Sequence, residues 1–147
     1  MVDLETPLEI HLHPWGFIGQ NRLQHENDSK FKTLRETLTV LGHEATYIDL
    51  LVLDCEGCEF DLYEDIVEIG KSGDDALLNS TQSSLPTIFL QLMVQVHGFA
   101  TPKDQTNSFF SELTNEGEYA IFHKSAEVGS GGNVQNYGFI KLRKDFF

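Results

Sequence analysis

Ile48-Asp49-Leu50-Leu51-Val52-Leu53-Asp54-Cys55-Glu56-Gly57-Cys58-Glu59-Phe60 is the stretch on which the fold turns. Its apolar run, Leu50 to Leu53, stops abruptly at Asp54, and Glu56, Gly57 and Glu59 follow within a few residues. A short apolar run bounded by turn signals reads as a strand buried on both faces, the kind found in parallel sheets covered by helices. A helix is the weaker reading, because the run is short and a glycine follows. In open α/β sheets ligands bind outside the carboxyl ends of the strands. The acids that crowd this end therefore stand where chemistry is expected.

Upstream, Pro7 to Trp15 alternates: Leu8, Ile10 and Leu12 against Glu9, His11 and His13. That period predicts a strand with one buried face, ended by Pro14 and Gly16. Gln20 to Ser29 reads as a loop whose Asn27-Asp28-Ser29 delivers a helix cap. Phe31, Leu34, Leu38 and Leu41 then share one helical face over Lys30 to Leu41, with Gly42 as a left-handed stop. Tyr47 to Asp54 is the central strand.

Downstream, Glu59 to Ile69 predicts a helix with Phe60, Tyr63 and Val67 inward and Gly70 at its end. Glu59 and Asp61 lie in its first turn, where carboxylates favour the helix dipole. Lys71 to Ser84 is polar and weakly patterned, a mobile surface loop. Thr87 to Val96 predicts a second buried strand, followed by His97-Gly98. Asn107 to Glu116 reads as a helix capped by Asn107. Tyr119 to His123 and Tyr137 to Leu142 read as a terminal antiparallel pair joined by Gly129 to Asn133. The expected class is α/β in one domain over residues 1–147.

The net charge of −13 argues against a nucleic-acid surface and against docking on anionic lipid. No run approaches the roughly 20 apolar residues of a membrane helix. The amino terminus lacks the basic and apolar regions of a signal peptide, so a soluble cytoplasmic setting is the default. Two cysteines make no disulfide framework, and a reducing compartment is expected.

Among candidate residues, Asp54 ends the central strand, and Asp54, Glu56 or Glu59 can accept a hydroxyl proton or bind a cation. Glu59 reads first as a cap for the next helix. His97 ends the second strand at the same edge and is a candidate base. Cys55 and Cys58 form a CxxC. No second CxxC completes a zinc site, and Glu56 disfavours a redox thiolate, so half-buried small apolar residues are the plain reading. No metal site is assigned. His11 and His13 share a strand face and can chelate a metal, but an exposed edge is the simpler reading. Gly129 to Asn133 lacks the ending of a phosphate loop and opens no helix.

The core IDLLVLDCEGCEFDLYEDI resembles the I-D-x-L-K-x-D-x-E-G-x-E segment of FkbM-like S-adenosylmethionine-dependent methyltransferases. It is most similar to a eukaryotic branch described as methyltransferase-domain proteins. HPWGFIG, KFKTLRETLTVLGHE, LQLMVQVHGF, FFSELTNEGEYAIFHK and NYGFIKL follow that branch in order, so the resemblance spans nearly the whole chain. Val52 departs from the family's lysine.

The resemblance implies a Rossmann-like sheet of order three-two-one-four-five-seven-six. Leu8 to His13 would be its third strand, and Trp15 to Gly19 the turn bordering adenine. The first two strands and the Gly-rich cofactor loop have no counterpart, so the chain is expected to be an amino-terminally truncated domain with a bare edge at Ile48 to Leu53. A re-paired sheet, with Leu8 to His13 beside the core strand, is the alternative. The implied chemistry is methyl transfer from S-adenosylmethionine to a small-molecule or glycan hydroxyl. Asp54 would orient acceptor or cofactor, Trp15 and Gly16 would border the cofactor, and Glu56 or His97 would act as base. Activity is expected to be incomplete in this chain. Two other readings stand beside it: a non-catalytic interaction domain that binds a partner or a second copy through the exposed edge, and a small metal or redox module on Cys55 and Cys58.

Overall fold

The computed structural model describes residues 9–19, 30–55, 57–71, 87–98 and 103–142. The central strand is realised in two pieces, β3 (Tyr47–Ile48) and β4 (Leu51–Leu53). Each lies parallel to a piece of the second strand, β5 (Ile88–Phe89) and β6 (Gln91–His97). The register carries through unchanged from Tyr47 opposite Ile88 to Leu53 opposite Val94. The break at Asp49-Leu50 therefore bends one strand without shifting its pairing, and Leu90 N–H still donates to Ile48 O at 2.8 Å.

β6 is flanked on its other side by β8 (Val134–Lys141), antiparallel, and β8 by β7 (Tyr119–Ala126). The four-stranded order is β4-β6-β8-β7. Residues 127–133, rich in glycine, make the hairpin connection that the sequence predicts. The antiparallel pair is longer than expected, and it carries a register shift between Ile121 and His123.

The alternation at Leu8 to His13 does not become a strand. Residues 9–13 have no regular structure, and Ile10 and Leu12 are 76 % and 91 % exposed. Alternation builds a strand only where a neighbour supplies hydrogen bonds and a core covers one face. Instead β1 (Gly16–Phe17) pairs parallel with β2 (Phe31–Lys32), inside the segment expected to be a turn. The cap expected at Asn27-Asp28-Ser29 lies outside the described residues, as does the polar stretch after Lys71. Helix α1 (Leu34–Leu41) begins later than predicted, because Thr33 caps it. Thr33 Oγ1 accepts from Glu36 N–H at 3.1 Å and Thr33 N–H donates to Glu36 Oε2 at 2.8 Å, a reciprocal box. Gly42 stops it at φ 68°.

Helix α2 (Glu59–Lys71) runs through Gly70 and does not stop there. It presents Phe60, Leu62, Tyr63, Ile66, Val67 and Ile69 to the core. Helix α3 (Lys103–Ser111) starts before Asn107, which sits inside it and caps nothing; a π-helical turn (Glu112–Glu116) continues it. Phe109, 1 % exposed, is the hub, edge-on to Phe60, Tyr63, Phe110 and Phe139 with centroids 5.0 to 6.1 Å apart.

The core lies between the helices and one face of the sheet. Leu53, Leu92, Val94, Tyr137 and Phe139 point into it. The central strand is therefore not buried on both faces. Val52, 60 % exposed, points away from the core by strand alternation, and Leu50 and Tyr47 are also exposed. Among the described residues β4 is an edge strand, and no helix is long and apolar enough to cross a membrane.

Candidate functional site

The site lies at the carboxyl end of β4 and β6, where the β4 chain turns into α2. The turn is tight. Gly57 holds φ 119°, a region that excludes a side chain. Asp61 N–H and Leu62 N–H donate to Cys58 O at 2.9 and 3.0 Å and start the helix. Glu59, its first residue, is 0 % exposed. A carboxylate cut off from water needs donors on both oxygens. Oε2 accepts from Gly57 N–H at 2.7 Å. Oε1 accepts from His97 N–H at 3.0 Å and lies 3.4 Å from His97 Nδ1. The positive end of the α2 dipole adds to this.

His97 ends β6, and its side chain is 15 % exposed. With Nδ1 protonated toward Glu59, Nε2 becomes the acceptor end of the ring. The arrangement is an oriented imidazole at a strand end, able to take a proton from a hydroxyl. Glu59 is the residue that sequence reasoning cast first as a cap. It does cap, through Gly57, and it also holds His97. Nothing local in the sequence signals that pairing, because the two residues meet only through the β4–β6 register.

Asp54 stands at the same edge and is exposed, in keeping with a group that meets a ligand. Glu56 lies outside the described residues. Cys55 and Cys58 are joined in a disulfide, so the reading as small apolar residues is corrected. As a disulfide they offer no thiolate to zinc. Among the described residues no cluster of three or more His, Cys, Asp or Glu is set to hold a metal.

Trp15 and Gly16 lie in another part of the molecule's sheet structure. Trp15 Nε1 donates to Thr37 Oγ1 on α1 at 3.3 Å, its ring stacks on His13 at 4.5 Å, and Lys32 Nζ lies 5.4 Å from the ring centre. The segment is anchored to α2 by Gly19: a Cβ there would meet Asp61 Cβ and O at 2.7 Å. His11 and His13 are exposed, and His11 faces Glu9 at 3.6 Å; among the described residues no cluster completes a metal site there.

A cleft of about 250 Å³ opens between Gly19 and the first turns of α2 and α3, lined by Asp61, Tyr63, Glu64, Gln105 and Ser108. Burial, then the carboxylates of Glu112 and Glu64, push the Tyr63 phenol up to about 12. Tyr63 is thus a donor at neutral pH, and it donates to Glu64 Oε1 at 3.2 Å. S-adenosylmethionine calls for an adenine slot, a ribose acceptor and a seat for its amino-acid end. Trp15, Gly16 and Asp54 are absent from the lining of this cleft. This cleft and the Asp54–His97 edge are therefore separate features of the described residues.

A family of methyltransferase domains matches residues 3–141. No curated protein and no solved structure matches the chain.

Proposed function

Because the chain belongs to the methyltransferase-domain family, we propose that it carries the acceptor-side half of an S-adenosylmethionine-dependent, FkbM-like O-methyltransferase. The observation that carries this reading is the strand order. β4-β6-β8-β7, with β8 antiparallel, runs in the same sense as the four-five-seven-six part of the series that the resemblance implies. His97 then stands at the carboxyl end of the strand next to the one that ends in Asp54.

In this reading Asp54 orients the acceptor hydroxyl, and His97 Nε2 receives its proton while Glu59 keeps the ring in position. Glu56, two residues after Asp54 in the sequence, is the other candidate base. The cofactor would supply the methyl group; most of the chain's own contribution is positioning. Trp15 and Gly16 are the residues assigned to border it. In this reading the chain by itself binds S-adenosylmethionine weakly.

Calorimetric titration tests the last point, and micromolar affinity refutes it. The transfer itself is tested at millimolar cofactor, with labelled methyl groups and simple sugar or polyol acceptors. Label should enter as an alkali-stable ether and fall roughly a hundredfold in His97→Gln. Label in carboxylate or amine products alone, or an unaffected variant, argues against it.

A second reading rests on its own observation. Leu50, Val52 and Tyr47 are 47 %, 60 % and 70 % exposed along the edge strand. A non-catalytic domain that uses this edge to pair with another chain accounts for them directly. Size-exclusion chromatography separates the two, since a monomer at all concentrations counts against self-pairing.

A further inference from the structure

We propose that the Cys55–Cys58 disulfide is a reducible latch on the Glu59–His97 pair, opened by a dithiol. The bridge closes the turn that leads from β4 into α2, with a Cα–Cα distance of 5.4 Å. Gly57 lies inside this ring, and its N–H is the donor that holds Glu59 Oε2 at 2.7 Å. Cys55 Sγ is itself 3.9 Å from the same oxygen. The other oxygen of that carboxylate holds His97. The sulfurs, the glycine, the carboxylate and the imidazole are therefore consecutive links.

Among the described residues, the backbone contacts within the turn are long. The backbone contact across it, Cys58 N–H to Cys55 O, is long at 3.5 Å, and Phe60 N–H to Gly57 O is 3.3 Å. Gly57 at φ 119° has no neighbour within 4 Å of a virtual Cβ, so space does not confine it. A bridge over so short a loop removes little entropy from the unfolded chain. Its weight as a staple for the whole fold is small, and its effect on this one turn is large. Both cysteines are half-buried, so a small reductant reaches them. They are the chain's two cysteines, so no third thiol diverts the exchange.

The step balances with the dithiol as the source of two electrons and two protons. The S–S bond breaks, S–H bonds form on Cys55 and Cys58, and the reductant closes to its own disulfide. Gly57 is then free to leave its positive φ, and Glu59 loses one of its donors. The His97 ring, held through Glu59, changes its orientation or exchange. That this regulates catalysis rests on the methyl-transfer reading; the coupling itself does not.

The test uses the full oxidised chain with dithiothreitol as the probe. Iodoacetamide should label neither cysteine before reduction and both after it, without denaturant. Native reduction should accelerate exchange of the Gly57 amide roughly tenfold to a hundredfold, the loss of one hydrogen bond to a carboxylate. It should also move the His97 imidazole signals in nitrogen-15 spectra. The double variant Cys55→Ser with Cys58→Ser should reproduce the reduced spectrum with dispersed core signals. Labelling without reductant overturns the proposal. So does a reduced chain whose Gly57 and His97 signals match the oxidised ones, or one that unfolds on reduction, which would make the bridge a staple. None of these readouts involves methyl transfer, so failure of that assay and failure of the latch are separate results.

Discussion

Glu59 sits in a place without water, and three groups converge on its two oxygens: Gly57 N–H, His97 N–H and His97 Nδ1. An amide in its place has one accepting oxygen and turns hydrogens toward the other donors. Glu59→Gln is therefore expected to cost about 1–3 kcal/mol of stability, read as a lower urea midpoint at unchanged slope. Tyr119 poses the same question with a neutral group. Its hydroxyl donates to Phe89 O at 2.9 Å, and burial raises its pKa above the ordinary 10.0. The folded state thus favours the protonated phenol. The stability this brings is whole below pH 10 and is lost as the pH climbs beyond it. Tyr119→Phe should lose about 1 kcal/mol at neutral pH and show a smaller alkaline decline, measured by urea unfolding across that range.

At the scale of elements, the strongest sequence signals held where local and tertiary preferences agree. The apolar face of α2 is buried as spaced, and Gly42 ends α1 in the left-handed region. Starts of helices were harder. Thr33-x-x-Glu36 is a capping box in plain sight, yet Asn27 to Ser29 and Asn107 drew the cap assignments because polar residues before an apolar run look alike. At Thr33 the cap forms because the side chain folds back onto the Glu36 amide from an extended backbone. Thr33→Ala should cost about 1 kcal/mol and raise amide exchange in the first turn of α1, leaving α2 unchanged. The strand expected at Leu8 to His13 failed for the opposite reason: its pattern is right, and nothing described lies beside it.

The whole molecule has helices on one face of its four-stranded sheet and an apolar edge on β4. Under the edge-binding reading, Val52→Lys should shift the chain toward the 16.6 kDa monomer in size-exclusion chromatography. A net charge of −13 opposes self-association, so the wild-type shift should grow with salt, as the screening length shortens. Invariance to concentration, salt and Val52→Lys would remove that reading.

The sequence by itself determined the two apolar strands, the amphipathic α2, the terminal hairpin and the edge at which Asp54 and His97 stand. These follow from periodicity and turn chemistry, which act over a few residues. Only the tertiary structure decided that Glu59 holds His97, that Cys55 bonds Cys58, and that Val52 faces outward. Each of these depends on which segments lie side by side, and a carboxylate, a thiol or a valine carries no local mark of its eventual neighbour.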